Sequence, residues 1–223
     1  MSIISGVGAG LGGAGDSGGV LGSFYGHTLD QSVRFNDNDS AYLNRTLASD
    51  GNRKTWTLSL WIKRSNIGEI TGQEIPIFSA GTSSTSWAIF FTADDELFIQ
   101  SRSSSSNQFV QKTSELFRDP SAWFHIVYAF DTTQATDTNR SKLYVNGEQI
   151  TLIQHTSNPL YPSDDTNYHV NNSSLTHFIG YGATHNEYLD GYLAEVNFID
   201  GAQYDASYFG ETKDGVWIPK DYS

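Results

Sequence analysis

The amino-acid sequence predicts an all-β protein, a two-sheet antiparallel sandwich that follows an irregular, glycine-rich N-terminal arm. Short apolar or alternating runs recur between turn residues, and no segment keeps a sustained helical period. Aromatic residues make up 13% of the 223-residue chain and charged residues 17%, which is typical of a sheet protein with an aromatic core. We therefore expect an arm over residues 1–28, one domain over residues 29–212, and a tail over residues 213–223 that packs on the domain.

The arm is set apart by its glycine content, because ten of the chain's 21 glycines lie within the first 26 residues. Such a segment buries too little apolar surface to fold alone, and each glycine adds to the backbone entropy lost on ordering. Two interpretations stay open: a flexible tail, or an arm that docks on a neighbouring subunit. In the second, the apolar anchors are Ile3, Ile4, Val7, Leu11, Val20 and Leu21.

The strands of the domain are identified by their periodicity. The segment TWTLSLWIKR alternates, which places Trp56 on one face of a strand and Trp61 on the other. Residues 123–131 are apolar on both faces, as expected of a central strand that is covered on both sides. The dipeptide Asn146-Gly147 predicts a hairpin, because a type I′ turn needs positive φ at both positions.

The aromatic side chains are assigned mostly to the core, Phe178 among them. Trp61 and Trp87 are the candidates for exposure, since each has an apolar neighbour on the opposite face of its strand. Trp217 is expected to pack the C-terminal tail on the domain. His125 lies inside an apolar strand, which predicts a hydrogen-bonded histidine of the sheet.

Four segments of the chain, in their order, resemble the laminin G-like branch of the concanavalin A-like jelly rolls. They are SVRFNDNDSAYLNRT, TWTLSLWIKR, the hairpin WFHIVYAFDTT with SKLYVNGEQI, and the closing block FIGYGATHNEYLDGYLAEVNFIDGAQYDASYFG. Together they span most of residues 32–210, so the resemblance implies a jelly-roll fold for the whole domain.

The detailed residue sequence of three motifs is similar to a narrower group, the laminin G-like modules of virion proteins in marine tailed bacteriophages. SVRFNDNDSAYL, YLAEVNFIDG and the ending GVWIPKDY carry this likeness. The resemblance implies a component of a tail fibre, or of a head or tail appendage, assembled in the host cytoplasm.

Composition excludes several classes of function. The formal net charge is −12, and the basic residues form no concentrated stripe, so we expect no direct nucleic-acid partner. The chain has no cysteine, which excludes disulfides and thiolate chemistry. Its N-terminus lacks the basic and continuous apolar regions of a signal peptide, and no run approaches the roughly 20 apolar residues of a membrane span, so we expect neither export nor membrane insertion.

Catalysis is not predicted. A retaining glycosidase needs two carboxyl groups about 5 Å apart, which on a strand calls for carboxylates at alternate positions. Glu195 is followed at alternate positions by Asn197 and Ile199, so its face offers no carboxylate partner. The six histidines lack the Gly-x-Ser-x-Gly context of a hydrolase nucleophile. We therefore expect a protein that is not an enzyme.

Two binding sites are candidates. Asp94 and Asp95 in a hairpin turn offer hard oxygen ligands for Ca²⁺, although Asx turns use the same residue types. Two loops, YPSDDTNY and YGATHNEY, combine tyrosines with amides and carboxylates, which suits a shallow glycan site if they share a rim, while ordinary polar loops remain the alternative. The candidate glycan-binding residues are Tyr161, Asp164, Asp165, Asn167, His185, Asn186 and Tyr188.

The sequence thus leads to a functional hypothesis that rests on the resemblance and on the arm. We expect a phage virion structural protein that docks on other virion proteins through its arm, forms a homo-oligomer (a trimer is the first guess) and touches host-surface glycans. The alternatives are a stand-alone carbohydrate-binding lectin and, in third place, a degenerate glycoside hydrolase.

Overall fold

The structure, a computed structural model, describes residues 26–68 and 74–222. Its core is two antiparallel sheets that face each other, which confirms the predicted all-β jelly-roll sandwich. Sheet A contains, in spatial order, β1 (Val33–Phe35), β15 (Gly191–Asp200), β3 (Thr55–Arg64), β8 (Phe124–Asp131), β9 (Ser141–Val145) and β10 (Glu148–Ile150). Sheet B contains β11 (Ile153–Gln154), β7 (Ser106–Leu116), β6 (Glu96–Ser103), β5 (Ser86–Phe91), β4 (Ile75–Gly81), β12 (Thr176–Ile179) and β2 (Leu43–Thr46).

Two small hairpins lie outside the main sheets. One is formed by β13 (Tyr181–Gly182) with β14 (Glu187–Tyr188), and the other by β16 (Gly210–Lys213) with β17 (Val216–Pro219). The helical content of the described chain is single 3₁₀ turns, at residues 37–39, 137–139 and 206–208. In the part of the chain that the structure describes, no helix is long and apolar enough to cross a membrane.

The core between the sheets is built on large aromatic side chains. Trp56 of sheet A meets Trp87 of sheet B edge-on, with ring centroids 5.0 Å apart. Trp56 also stacks on Phe130 at 4.9 Å, and Tyr128 packs against both tryptophans. Trp87 is therefore fully buried, with 0% of its surface exposed, and the prediction that it is exposed is wrong. Rings at these separations contribute contact energy beyond the burial of their area.

Strand β3 has the predicted alternation, since Trp56, Leu58 and Leu60 all point into the core. Its opposite face is also covered, which the sequence did not indicate. Trp61 on that face is 7% exposed and stacks on His125 at 4.8 Å, so the predicted exposure of Trp61 is wrong as well. Chain segments that lie on a sheet's outer face bury residues that alternation alone assigns to solvent.

That cover is the C-terminal segment. The backbone N–H of Tyr204 donates to the Thr57 hydroxyl at 2.9 Å, and the same hydroxyl donates to the carbonyl of Ala202 at 2.7 Å. Farther along, the Trp217 indole N–H donates to His125 Nδ1 at 3.0 Å. Trp217 thus packs on the domain as predicted. The expected division between residues 212 and 213, however, falls inside β16, so this end of the chain is a hairpin that is part of the domain.

Strand β15 carries a β-bulge at its middle. Glu195 and Val196 are both opposite Leu60, and Glu195 has a left-handed φ of 45°. Its carboxylate forms a hydrogen bond with the His27 ring, which places His27 beside the bulge. The proposed arm anchors, from Ile3 to Leu21, lie outside the described residues.

Candidate functional site

The two predicted glycan loops have separate anchors in the structure. The loop over residues 161–168 is bound to sheet A where β3 begins and β8 ends. The N–H of Asp165 donates to the carbonyl of Thr132 at 2.8 Å, and the Arg53 side chain donates to the carbonyl of Tyr168 at 2.8 Å. Tyr168 itself is buried in the core and accepts the Ser163 N–H on its hydroxyl at 2.9 Å.

The acidic side chains of this loop are engaged in ion pairs. Asp164 accepts from Arg140 at 3.1 Å and Asp165 from Lys54 at 2.7 Å. Tyr161 is half-buried beside a polar cavity of about 200 Å³ that Lys142 and Gln149 also line. Asn167 is exposed. The loop therefore serves at least in part to join the ends of strands, as in the polar-loop alternative.

The second loop is the β13–β14 hairpin, and it lies on the outer face of sheet B. The hydroxyl of Ser79 on β4 donates to the carbonyl of Tyr181 at 2.7 Å. Gly182 is close to Pro76, where a Cβ would stand 3.3 Å from the Pro76 side chain, so the hairpin packs flat on β4. His185 and Asn186 form its exposed turn. The structure thus keeps His185, Asn186 and Tyr188 together but anchors Tyr161, Asp164, Asp165 and Asn167 elsewhere.

An aromatic cluster surrounds this hairpin, formed by Tyr42, Phe178, Tyr181 and Tyr188. Tyr181 is at its centre, with ring centroids 5.2 Å from Tyr42, 5.2 Å from Tyr188 and 4.9 Å from Phe178. Tyr42 is 42% exposed and the three other rings are partly exposed. The cluster therefore presents a continuous aromatic surface to solvent.

Amide side chains lie at the border of this surface. The hydroxyl of Tyr181 donates to the Asn186 side chain at 2.9 Å. Asn44 is exposed and is the partner of Phe178 in the pairing of β2 with β12, so both side chains lie on the same face. Burial, together with the neighbouring Tyr188 and Tyr42, raises the pKa of Tyr181. Its hydroxyl is therefore neutral at physiological pH and able both to donate and to accept.

Of this cluster, the predicted glycan-binding residues include Tyr188 alone, although Tyr181 begins the predicted loop YGATHNEY. Phe178 was assigned to the core, but it is paired with Ser79 of β4. Ser79 is paired in turn with Ala88, which belongs to a separate apolar cluster on the outer face of sheet B, formed with Phe90, Phe98 and Val110. The side chain therefore points outward. Tyr42 gave no signal as a site residue because it lies 139 positions from Tyr181 in the chain, and only the pairing of β2 with β12 joins them. The alternation of β12 was the available signal, because Ile179 packs against the core and His177 contacts the buried Phe78 ring, which turns Phe178 to the opposite face.

The predicted metal ligands Asp94 and Asp95 do not form a cation site. Asp95 is buried, and its carboxylate accepts from Arg64 at 2.9 Å, from Arg118 at 3.0 Å and from the N–H of Gly68 at 2.8 Å. Burial alone would raise the pKa of Asp95, but these hydrogen bonds outweigh it and the pKa is lowered. Two guanidinium groups thus occupy the positions that a cation needs, and this contradicts the prediction.

A second cluster of ligating side chains lies under the hairpin and was not predicted. Glu74 is the residue before β4, and its carboxylate lies 2.9 Å from His185 Nδ1. Its backbone N–H donates to the Glu187 carboxylate at 2.7 Å. One ligand atom from each of these three side chains lies within 4.8 Å of the other two. Glu187 and Tyr188 are consecutive in β14, so the cluster and the aromatic surface lie on opposite faces of the hairpin.

Comparison with known proteins identifies the family. The family described as "Concanavalin A-like lectin/glucanases superfamily" matches residues 35–206, which is most of the chain. The chain therefore belongs to the laminin G-like concanavalin A superfamily, as its motifs predicted. No curated protein matches it.

Solved structures with a similar fold include two large proteins. The NanB sialidase of Streptococcus pneumoniae, as its K499G mutant, has a TM-score of 0.51 at 12% identity, over 79% of this chain and 26% of that one. The binding domain of botulinum neurotoxin DC, in complex with SialylT, has a TM-score of 0.50 at 13% identity, over 79% of this chain and 39% of that one. This chain thus spans less than half of either protein, and at these identities the likeness shows the fold alone.

Proposed function

We propose that this domain binds carbohydrate through the aromatic cluster on the outer face of sheet B. The observation that carries the proposal is the continuous, solvent-facing surface of Tyr42, Phe178, Tyr181 and Tyr188 with amides at its border. Aromatic faces stack against the C–H side of a pyranose ring, while amides and hydroxyls exchange hydrogen bonds with its hydroxyl groups.

The polar groups at the border of the aromatic cluster indicate which class of sugar it would bind. Asn44, Asn186 and the tyrosine hydroxyls donate and accept hydrogen bonds but carry no charge. Such groups match neutral hexoses better than acidic sugars, whose carboxylates are recognised by arginine forks. We therefore infer a neutral hexose-containing glycan. Glycan binding in general is supported by the family's description as lectins and glucanases and by the fold shared with a toxin binding domain complexed with SialylT, whereas the choice of a neutral sugar depends only on the uncharged border groups.

The test is glycan binding by the full chain, on a glycan array and then by calorimetry with the sugar that the array retains. Tyr188→Ala and Tyr181→Ala should each weaken binding at least tenfold, because each removes a stacking face. Tyr208→Ala is the matched control, since Tyr208 is 47% exposed and lies in the C-terminal segment, on the other sheet. Retention of no neutral glycan, or equal binding by all variants, would refute the proposal.

The domain is proposed to bind without hydrolysing its ligand. Glu74 and Glu187 bring two carboxylates close together, as retaining glycosidases require. The Glu187 carboxylate, however, accepts the backbone N–H of Glu74, and the Glu74 carboxylate pairs with His185. Incubation of the purified chain with β-glucans should therefore release no reducing ends. Release that disappears in Glu187→Gln would make the protein a glycosidase.

The finer context that we propose is a virion structural protein of a tailed phage, displayed on the particle and assembled through the arm. The motifs SVRFNDNDSAYL, YLAEVNFIDG and GVWIPKDY support this context by resemblance. A groove of about 240 Å³ next to the bulge of β15 supports the assembly role, because its walls are mostly apolar. Leu43, Ile179, Val196 and Phe198 line it. The apolar anchors of a neighbouring copy's arm are chemically suited to such a surface.

Light scattering coupled to size-exclusion chromatography tests the assembly role. The full chain should form a multimer, with a trimer expected, and a chain starting at Leu29 should be monomeric. Val196→Asp in the full chain should have the same effect as truncation if the groove receives the arm. If the full chain is monomeric, or if its multimer survives truncation, the hypothesis that the chain self-associates through its arm is wrong.

A further inference from the structure

The cluster of Glu74, His185 and Glu187 joins two elements that are far apart in the sequence. Glu74 precedes the first residue of β4, and the other two residues belong to the β13–β14 hairpin. The close packing of Gly182 on Pro76 brings the hairpin near enough for the three side chains to meet. Ligands that bind one metal ion at 2.0–2.2 Å lie roughly 3–4 Å from each other. The observed limit of 4.8 Å, with one pair already at 2.9 Å, therefore needs only small side-chain movements to close on an ion.

The electrostatics of the cluster favour a cation. Glu74 and Glu187 are both partly buried, and the Glu187 carboxylate lies close enough to Glu74 to accept its backbone N–H at 2.7 Å. Two partly buried carboxylates side by side repel each other, and a divalent ion between them would relieve that repulsion more fully than one imidazole.

The donor set selects the kind of ion. One imidazole nitrogen with two carboxylate oxygens suits Zn²⁺ and related divalent transition metals. Calcium takes six to eight oxygen ligands and is poorly served by an imidazole. His185 is 45% exposed at its side chain, so water or a further ligand has access to the remaining coordination positions.

We propose that Glu74, His185 and Glu187 form a binding site for a divalent transition-metal ion of the zinc type. The ion would connect the hairpin to the start of β4 and hold the strand that carries Tyr188 in place. The site lies on the opposite face of the hairpin from the aromatic cluster, so its occupancy does not depend on the domain binding a sugar.

The experiment is calorimetric titration of the untagged, full-length chain with ZnCl₂ after treatment with EDTA, with CaCl₂ in a parallel titration. We expect saturable binding of one Zn²⁺ per chain and a higher Tm in its presence, since an ion that binds only the folded state stabilises it. His185→Gln and Glu187→Gln should each weaken binding more than tenfold. Both variants keep the size of the side chain, and Gln at position 187 can still accept the Glu74 N–H.

His27→Gln is the matched control, because His27 and Glu195 form another histidine–glutamate pair on the surface. Its zinc affinity should equal that of the parent chain. Co²⁺ in place of Zn²⁺ gives a visible absorption band that reports nitrogen and oxygen ligands, and the band should be lost in His185→Gln. Three results would each overturn the proposal: no saturable zinc binding by the parent chain, zinc affinities of His185→Gln and Glu187→Gln equal to that of the parent chain, or tighter binding of Ca²⁺ than of Zn²⁺. Urea unfolding of every variant separates loss of the site from loss of the fold.

Discussion

The outer faces of the two sheets differ in what covers them. On sheet A the chain covers its own aromatic residues: Trp61 stacks on His125, and His125 in turn accepts the Trp217 indole N–H. On sheet B, along β12 and β2, Tyr42 and its three neighbours remain open to solvent. Both faces are rich in aromatic residues, so composition does not separate them. The difference shows that an outward aromatic residue is structural where a later segment of the chain packs on it, and available to a ligand where none does.

Trp217→Ala has the largest expected effect, because it removes the side chain that closes the outer face of sheet A. The ring packs on Gly147 and Gly210, and its indole N–H satisfies His125. We expect the free energy of unfolding to fall by about 3 kcal/mol, as for other large aromatic deletions. Urea unfolding measures it. Trp217→Phe, which keeps a ring, should lose less than half as much; a loss below about 0.5 kcal/mol for Trp217→Ala would show that this face is not sealed.

Acidification is expected to weaken the same face. Burial lowers the pKa of His125 to about 4, from 6.5 in the unfolded chain. The unfolded state therefore binds more protons between these values, and the contribution of His125 is complete above pH 6.5 and is lost as the pH falls towards 4. The shift corresponds to roughly 3 kcal/mol over that window. Urea midpoints measured from pH 7 to pH 4.5 should fall, and fall less steeply in His125→Gln. Identical slopes would assign the pH dependence to other groups, His169 and His177 among them, whose pKa values burial also lowers.

A pair of glycine variants isolates the contact between Trp217 and the β9–β10 turn. Gly147 and Gly201 have nearly the same left-handed φ, at 87° and 85°. A Cβ at Gly147 would stand 2.4 Å from the Trp217 ring, whereas a Cβ at Gly201 would meet nothing within 4 Å. Gly147→Ala should therefore destabilise the protein by about 1–2 kcal/mol more than Gly201→Ala, since both share the backbone strain and only one displaces the ring. Equal losses would mean that Trp217 moves aside freely.

Tyr42→Ala should have the smallest effect on stability, because its ring is on the open face. We expect a change in unfolding free energy of no more than about 0.5 kcal/mol, together with weaker retention on the glycan identified for the parent chain. A loss comparable to that of Trp217→Ala would make the aromatic cluster a structural element and abolish the contrast between the two faces.

Local pattern predicted most of the sandwich and one part of the surface. The alternation of β3 and the Asn146-Gly147 turn were correct because each depends on neighbours in sequence: Asn146 has φ 48° and Gly147 φ 87°. His185, Asn186 and Tyr188 lie together for the same reason, because they are near neighbours in the chain, and their role in glycan binding stays a prediction. Trp61, Trp87 and Phe178 were assigned to the wrong environment, since burial of a strand's face depends on which distant segment lies against it.

The sequence by itself determined the fold class, the strand periodicity, the turns and the family, because these follow from residue types at short, fixed spacings. Only the tertiary structure decided which aromatic residues face solvent, that Asp95 is neutralised by Arg64 and Arg118, and that Glu74 meets His185 and Glu187. Antiparallel pairing with long connections joins residues more than a hundred positions apart, as in the contact of Glu74 with Glu187. The physical reason is that such contacts depend on which strands become neighbours in a sheet, and on which segment covers its outer face, and neither has a local signature in the chain.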